Sequence, residues 1–381
     1  MAWDRKTLEE CTEYITDGDH QPAPKSDDGV LFIKIKDIKD SRVDFKEALH
    51  VPLVYYEGIQ RNRKPVLGDT LYTVVGSYGL SAYVNFDIPF CFERNIALLH
   101  PKKGVDSRFL FYSVNTPDFF KQAENAANGA AQKLIPLSRL KQLKIQVPPF
   151  ATQKKIADIL SAYDNLIENN QKQIKLLEEA AQRLYKQWFI DLRFPGHETT
   201  KIVDGLPEGW RKGIVGEIAE FKRGKVITKA QVAEGNVPVV AGGLEPAYYH
   251  NTANTTAPVI TVSGSGANAG FAQLYNENVF ASDCSFADIN TTPYVYFVYC
   301  LLKDKKTELD SLQKGAAQPH VYAKDINALA TLIPPEEMLK LYTKYASPYF
   351  EKVKALKEQI KNLTQSRDRL LPKLMNGELE V

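Results

Sequence analysis

The sequence predicts an α+β fold in which two β-rich globular units are separated by a long antiparallel coiled coil, as an internal pseudo-twofold repeat. Three observations lead there. The chain repeats itself at a nearly constant offset, each copy opens with short apolar segments punctuated by glycine, and each closes with a heptad stripe behind a Pro-Pro pair. The expected boundaries are 1–147 for the first β-rich unit, 148–198 for a central helix, 199–333 for the second unit and 334–381 for a C-terminal helix.

The repeat comes first because it constrains every other element. Gly129-Ala130-Ala131-Gln132 recurs as Gly315-Ala316-Ala317-Gln318, and Pro148-Pro149 as Pro334-Pro335, both at an offset of 186 residues. The same offset lays Phe109-Leu110-Phe111-Tyr112 on Val295-Tyr296-Phe297-Val298 and Gln173-Ile174-Lys175 on Gln359-Ile360-Lys361. Near the starts it widens to about 207, where Trp3, Leu8, Glu10, Glu13 and Tyr14 fall on Trp210, Val215, Glu217, Glu220 and Phe221. The second copy is therefore shorter by roughly 21 residues, lost before the segment that matches Tyr72 to Ser77 with Ile260 to Ser265.

Within the first unit, Leu31 to Ile35 alternates apolar and basic residues as a half-buried strand does, and Thr70 to Val75 and Asn95 to Leu99 also predict strands. From Asp106 through Phe120 the pattern is helical, with Pro117 expected to break it into two pieces. The second unit repeats this with strands at Val239-Val240 and Val259 to Val262 and a helix over Tyr294 to Leu302. Asn290-Thr291-Thr292-Pro293-Tyr294 predicts that helix's start, with Thr292 as cap and Pro293 in the first turn.

Behind the first Pro-Pro pair, Ile156, Leu160, Tyr163, Ile167, Asn170, Ile174, Leu177, Ala181, Leu184 and Trp188 keep an unbroken 4,3 spacing. Tyr342, Ala346, Tyr349, Val353, Leu356, Ile360, Leu363, Arg367, Leu370 and Leu374 repeat it behind the second. Such a narrow stripe marks a coiled-coil seam, and Asn170 is the polar seam residue that commonly sets register. The alternative is that each helix simply lies on its own unit. A rod of about 50 Å, at 1.5 Å per residue, is longer than a small unit can cover, and the second copy supplies a partner within the same chain.

Composition excludes several functions. With 44% hydrophobic residues the chain can bury sizeable cores, yet no apolar run reaches the roughly 18 residues of a membrane span. The start, Met1 to Lys6, has no apolar signal segment, so a cytoplasmic location is expected. Cys11, Cys91, Cys284 and Cys300 form no CxxC pair, and His20, His50, His100, His197, His250 and His320 show no HxxxH or HExxH spacing, so no bound metal is expected. Net charge of +2 neither favours nor opposes nucleic acid, so any such argument rests on local clusters. No GxxxxGK[ST] phosphate loop occurs. Gly264 to Gly270 follows a strand, but Phe271 to Tyr275 continues as another strand and not as a helix, which predicts a glycine-rich hairpin over a dinucleotide site. The Asn290 to Tyr294 segment also lacks one proline of the motif by which adenine methyltransferases hold their target amine. No catalytic residue and no cofactor is therefore expected on this chain.

Certain stretches resemble a known family. Pro148-Pro149-Phe150-Ala151-Thr152-Gln153-Lys154-Lys155-Ile156-Ala157-Asp158-Ile159-Leu160, Trp188-Phe189-Ile190-Asp191-Leu192-Arg193-Phe194-Pro195-Gly196 and Leu370-Leu371-Pro372-Lys373-Leu374-Met375-Asn376-Gly377-Glu378-Leu379 are similar to the corresponding parts of specificity subunits of type I restriction-modification systems. The resemblance spans the chain in the order target-recognition domain, helix, target-recognition domain, helix. It implies a non-catalytic protein that reads a bipartite site on double-stranded DNA. It also implies two methyltransferase subunits that use S-adenosylmethionine, and restriction (motor-nuclease) subunits that use ATP and Mg. In Glu336-Glu337-Met338-Leu339-Lys340 the Gln and Ile-Ala of the first helix start are missing, so the two starts need not contact partners equally. The alternatives are the recognition subunit of a fused methyltransferase-nuclease system and a coiled-coil adaptor joining proteins.

For DNA, candidate contacts are basic or amide-bearing loop residues, since Arg and Lys hold phosphates while Arg, Asn and Gln read base edges. They are Arg61, Asn62, Arg63, Lys64, Ser77, Tyr78, Gln132 and Lys133 in the first unit. In the second they are Lys222, Arg223, Lys225, Ser265, Asn268, Gln318 and His320.

Overall fold

The computed structural model describes residues 3–129, 133–314 and 319–381. The chain divides into two compact units, residues 1–168 with 360–381 and residues 169–359.

In the first unit a four-stranded antiparallel sheet has the order Thr12–Asp17, Ile96–Pro101, Thr70–Thr73, Ser81–Tyr83. A ribbon of Asp4–Thr7 with Lys144–Val147 closes the unit. A three-stranded sheet sets Val30–Ile33 between Leu49–Val51 and a parallel partner, Phe90–Phe92. The second unit repeats these pairings: Lys222–Arg223, Cys284–Asp288, Val259–Ser263 and Ala272–Tyr275 form the four-stranded sheet, Arg211–Ile214 pairs Ala330–Ile333, and Val237–Val240 lies between Tyr248–His250 and the parallel Phe280–Ala281. The duplication in sequence is thus a duplication of topology. The residues present only in the first copy form the hairpin Ile38–Lys39/Arg42–Val43 and the turns Leu53–Gly58 and Arg61–Arg63.

Alternation along the central strands feeds two cores. Tyr72, Ala97 and Leu99 face one with Leu110 and Phe119, while Leu71 and Leu98 face another with Ile33, Phe90 and Phe92, as a period of two requires. Coverage on both faces also explains a departure from expectation. The strand predicted over Leu31 to Ile35 spans Val30–Ile33 and buries Val30, Phe32 and Ile33, because Val30 and Phe32 pack with Val51, Ile59 and Cys91 on one face and Ile33 packs with Ile38, Leu71 and Phe90 on the other; a short 3-10 turn, Ile35–Asp37, follows.

The helical insert breaks where proline predicts. Ser107–Val114 is capped by Asp106, and Pro117–Ala126 starts on Thr116 with proline in its first turn. In the second unit the helix begins at Val295 and not at Pro293. Thr292 does accept from the Tyr294 amide at 3.2 Å. The Asp288 carboxylate, however, accepts from the Asn290 and Thr291 amides at 3.1 Å, which holds the preceding residues in a turn.

The two long helices are Phe150–Tyr185, continued by a π-turn over Lys186–Ile190, and Glu336–Met375. Within the first unit Ile156, Ala157 and Leu160 pack against Leu370, Leu371, Leu374 and Met375. Within the second, Ala181, Tyr185 and Trp188 pack with Leu339, Tyr342, Ala346 and Phe350. The start of one helix meets the end of the other in both units, so the pairing is antiparallel. Of the seam residues, Ile156, Leu160, Ile167, Asn170, Val353 and Leu356 are buried, and Ile174, Leu177, Leu184, Ile360, Leu363 and Leu370 are half-buried. Asn170 Nδ2 donates to Gln359 Oε1 at 3.3 Å, and Arg367 meets Asp164 at 2.6 Å. The two ways of covering the helices coexist. Phe109, Phe111 and Tyr112 of the first unit pack on Ile156 and Leu160, and Tyr296 stacks on Phe350 with ring centroids 4.5 Å apart.

Candidate nucleic-acid interface

Register places most of the candidates at one end of each four-stranded sheet. In the first unit Asp17, Ala97 and Tyr72 lie side by side across neighbouring strands, so Gly18, the Glu93–Asn95 turn and the loop after Thr73 share that end. In the second, Arg223, Ser285 and Val262 are aligned, which brings Gly224, Asp283 and the Gly264–Gly270 loop together.

A second loop is fastened to this end in each unit. Asn128 and Leu134 exchange backbone hydrogen bonds at 2.8 Å, as Lys314 and His320 do at 3.0 and 2.9 Å. These pairs close the loops that carry the repeated Gly-Ala-Ala-Gln motif. Gly76 donates to the Lys133 carbonyl and Ile135 to the Val74 carbonyl; likewise Gly266 donates to Pro319 and Val321 to Gly264. Lys133 to Ile135 and Pro319 to Val321, which follow the motif in sequence, thus sit beside the glycine loop in both copies. Gln132 and Gln318 lie outside the described residues.

The remaining candidates differ in how available they are. Arg61 and Asn62 are exposed on a 3-10 turn. Arg63 is held by the Gly18 carbonyl at 3.1 Å and by Asp17 at 3.3 Å, and Lys64 donates to the Glu57 carbonyl at 3.1 Å while lying 4.6 Å from the Tyr56 ring centre. Arg63 therefore fastens its turn to the sheet end. Ser77 is exposed, and Lys133 lies 5.8 Å from the ring centre of Tyr78, which stacks on Phe120. Lys222, Arg223 and Lys225 are exposed at the rim of the second unit. Ser265 donates to Asp283, Asn268 Nδ2 donates to the Gly242 carbonyl at 3.4 Å, and His320 stacks on Tyr322. Arg223, Asp283, His320 and Tyr322 line one small cleft.

Sequence reasoning missed several residues here. Arg94 is exposed on the turn beside Val74, and Lys324 lies over the exposed ring of Tyr322. Arg94 stands alone among apolar and polar neighbours, so no cluster betrayed it, and Asp283 is acidic and was outside a search for cations.

Burial pushes the Cys11 thiol up to about 11 and those of Cys91, Cys284 and Cys300 up to about 12, which leaves them protonated and unreactive at neutral pH. Among the described residues no cluster of metal-ligating side chains occurs, and no helix is long and apolar enough to cross a membrane.

Comparison with known proteins agrees with this architecture. Over 321 residues the chain is 29% identical to the type I restriction enzyme MjaIX specificity subunit of Methanocaldococcus jannaschii, covering 76% of this chain and 72% of that protein. It is 25% identical to the putative type I restriction enzyme MjaX specificity subunit of the same organism, over 100% of this chain and 94% of that one. The crystal structure of the type I restriction-modification S subunit from M. genitalium superposes with a TM-score of 0.61 at 20% identity, covering 98% of this chain and 96% of that chain, and so shares its fold. Residues 7–179 and 207–365 each match the family described as type I restriction modification DNA specificity domain. With two copies spanning most of its length, this chain belongs to that family and is a type I restriction-modification specificity subunit.

Proposed function

We propose that each unit reads one half of a bipartite site on double-stranded DNA, and that the paired helices fix the gap between the halves. The observation that carries the reading is the coincidence, in both copies, of two repeated loops and a set of exposed cations at the same end of the same sheet. Cations there hold phosphates and position the unit, while Ser, Asn and His side chains on the loops meet base edges. The chain performs no chemistry: two methyltransferase subunits bring S-adenosylmethionine, and restriction subunits bring ATP and Mg, all working on the chromosome in the cytoplasm. Methylation sequencing of the source genome with and without the gene tests this. A split adenine motif should be present with the gene and vanish without it; an unchanged methylation pattern refutes the reading. Methyl transfer by the purified chain alone would refute the non-catalytic role.

A further inference from the structure

The sheet end of the second unit holds a group that does not suit a polyanion. Asp283 lies on the turn between Phe280–Ala281 and Cys284–Asp288, at the same end as Arg223, Lys225 and the Gly264–Gly270 loop. Its Oδ2 accepts from the Ser265 hydroxyl, its backbone carbonyl accepts from the Gly264 amide at 3.1 Å, and it lines the cleft with Arg223, His320 and Tyr322. Among the described residues no Lys, Arg or His nitrogen forms an ion pair with it. A half-exposed carboxylate without a cation repels a phosphate backbone, so it weakens binding everywhere on DNA except where it meets a donor. The donors on the major-groove edges of bases are the amino groups, N4 of cytosine and N6 of adenine; guanine O6 and N7 and thymine O4 are acceptors and would be repelled.

The first unit carries different residues on the turn at the same sheet end. Asn95 stands where Asp283 does, its carbonyl accepting from the Val74 amide at 2.9 Å, and Glu93, earlier on the same turn, is engaged internally: its Oε1 accepts from the Ile35 amide at 2.7 Å, an interaction with the three-residue turn that follows Val30–Ile33. Among the described residues Asp283 has no such backbone donor and only the Ser265 hydroxyl engages it, which leaves acceptor capacity on both of its oxygens.

We propose that Asp283 is a specificity-determining residue of the second unit, accepting a hydrogen bond from the amino group of one base in that unit's half-site and rejecting keto bases there. This rests on the reading of the chain as a DNA specificity subunit. The test uses the full chain assembled with its methyltransferase partner, and scores methylated motifs on a plasmid library in which each position of the site is varied. For wild type, one position of one half should demand adenine or cytosine on a given strand. Asp283→Ala and Asp283→Asn should lower discrimination at that position roughly 10- to 100-fold, with the other half of the motif unchanged. Ser265→Ala, which removes the hydroxyl but keeps the carboxylate, should still demand an amino base at the position Asp283 reads, whatever it does to overall methylation or to other positions. An unchanged motif in both Asp283 variants overturns the proposal. So does an equal loss of methylation at every site in the Asp283 and Ser265 variants, since Asp283 would then only staple its loop. If wild type itself directs no split motif, it is the assignment as a specificity subunit that fails.

Discussion

Leu160→Ala tests the antiparallel helix pairing where it is most densely packed. Leu160 is wholly buried, and its cluster draws on three segments: Phe109, Phe111 and Tyr112 from the helical insert, Ile156 and Ala157 from the central helix, and Leu370, Leu371, Leu374 and Met375 from the C-terminal helix. Leu→Ala changes in cores lose about 2–5 kcal/mol, depending on how far the surroundings collapse into the space. Collapse is poor here because the rings on one side are locked, Phe111 on Tyr112 at 5.1 Å and on Tyr83 at 5.7 Å between centroids. The loss should therefore be about 3–4 kcal/mol, or a fall in amide protection of more than a hundredfold where the opening is local. Hydrogen exchange read by mass spectrometry would locate it. Peptides covering 107–114 and 370–375 should lose protection first, and Leu166→Ala, at a side chain 50% exposed, should change little. Protection lost at 339–346 with 370–375 untouched would refute the antiparallel pairing.

Other outcomes follow from the same geometry. Arg61→Ala should weaken DNA binding and reduce the log-log salt slope by about one unit if Arg61 holds a phosphate, whereas Arg63→Ala should act mainly on stability, because Arg63 is tied to Asp17 and Gly18; salt titrations and melting curves of both variants separate the two. Gly79→Ala should destabilise more than Gly104→Ala: both have positive φ, but only at Gly79 would a Cβ meet a ring, 2.7 Å from Phe120 Cε2, and melting temperatures compare them directly. Exchanging residues 1–147 for a related unit should alter one half of the methylated motif, and a change in both halves would argue for a single composite site. Inserting one heptad after Ile167 and one after Val353 keeps both seams in phase and adds about 10 Å of helix, so the gap in the motif should lengthen by up to about three base pairs; an unchanged gap would show that the helices do not set it.

Much of this architecture is written in local pattern. Heptad spacing needs only the apolar positions of one helix, so Ile156 to Leu184 and Val353 to Leu370 could be assigned to a seam without knowing their partners. Proline at position 117 and the acidic cap at Asp106 dictate a break and a helix start through their own backbone chemistry. The repeat carried the domain order, because two copies of one pattern must fold to one topology.

What tertiary structure decided is whatever depends on residues far apart in the chain. That Arg63 serves Asp17 and Gly18 while Arg61 remains exposed could not be seen in Arg61-Asn62-Arg63-Lys64, where all the cations look alike. The burial of both faces of Val30–Ile33 follows from residues distant in the chain, Ile59 and Cys91 on one side and Leu71 and Leu98 on the other, and no alternation within the strand announces it. The joining of the glycine loop to Lys133 to Ile135 in one unit and to Pro319 to Val321 in the other, and the arrival of Asp283 beside Ser265, are likewise products of sheet register. The sequence alone therefore determined the repeat, the order of elements and the helical seams, since these depend on neighbours within a few turns. Which polar groups stand together at the end of each sheet was decided only by folding, since hydrogen-bonded register between distant strands is a property of the whole unit and not of any segment in it.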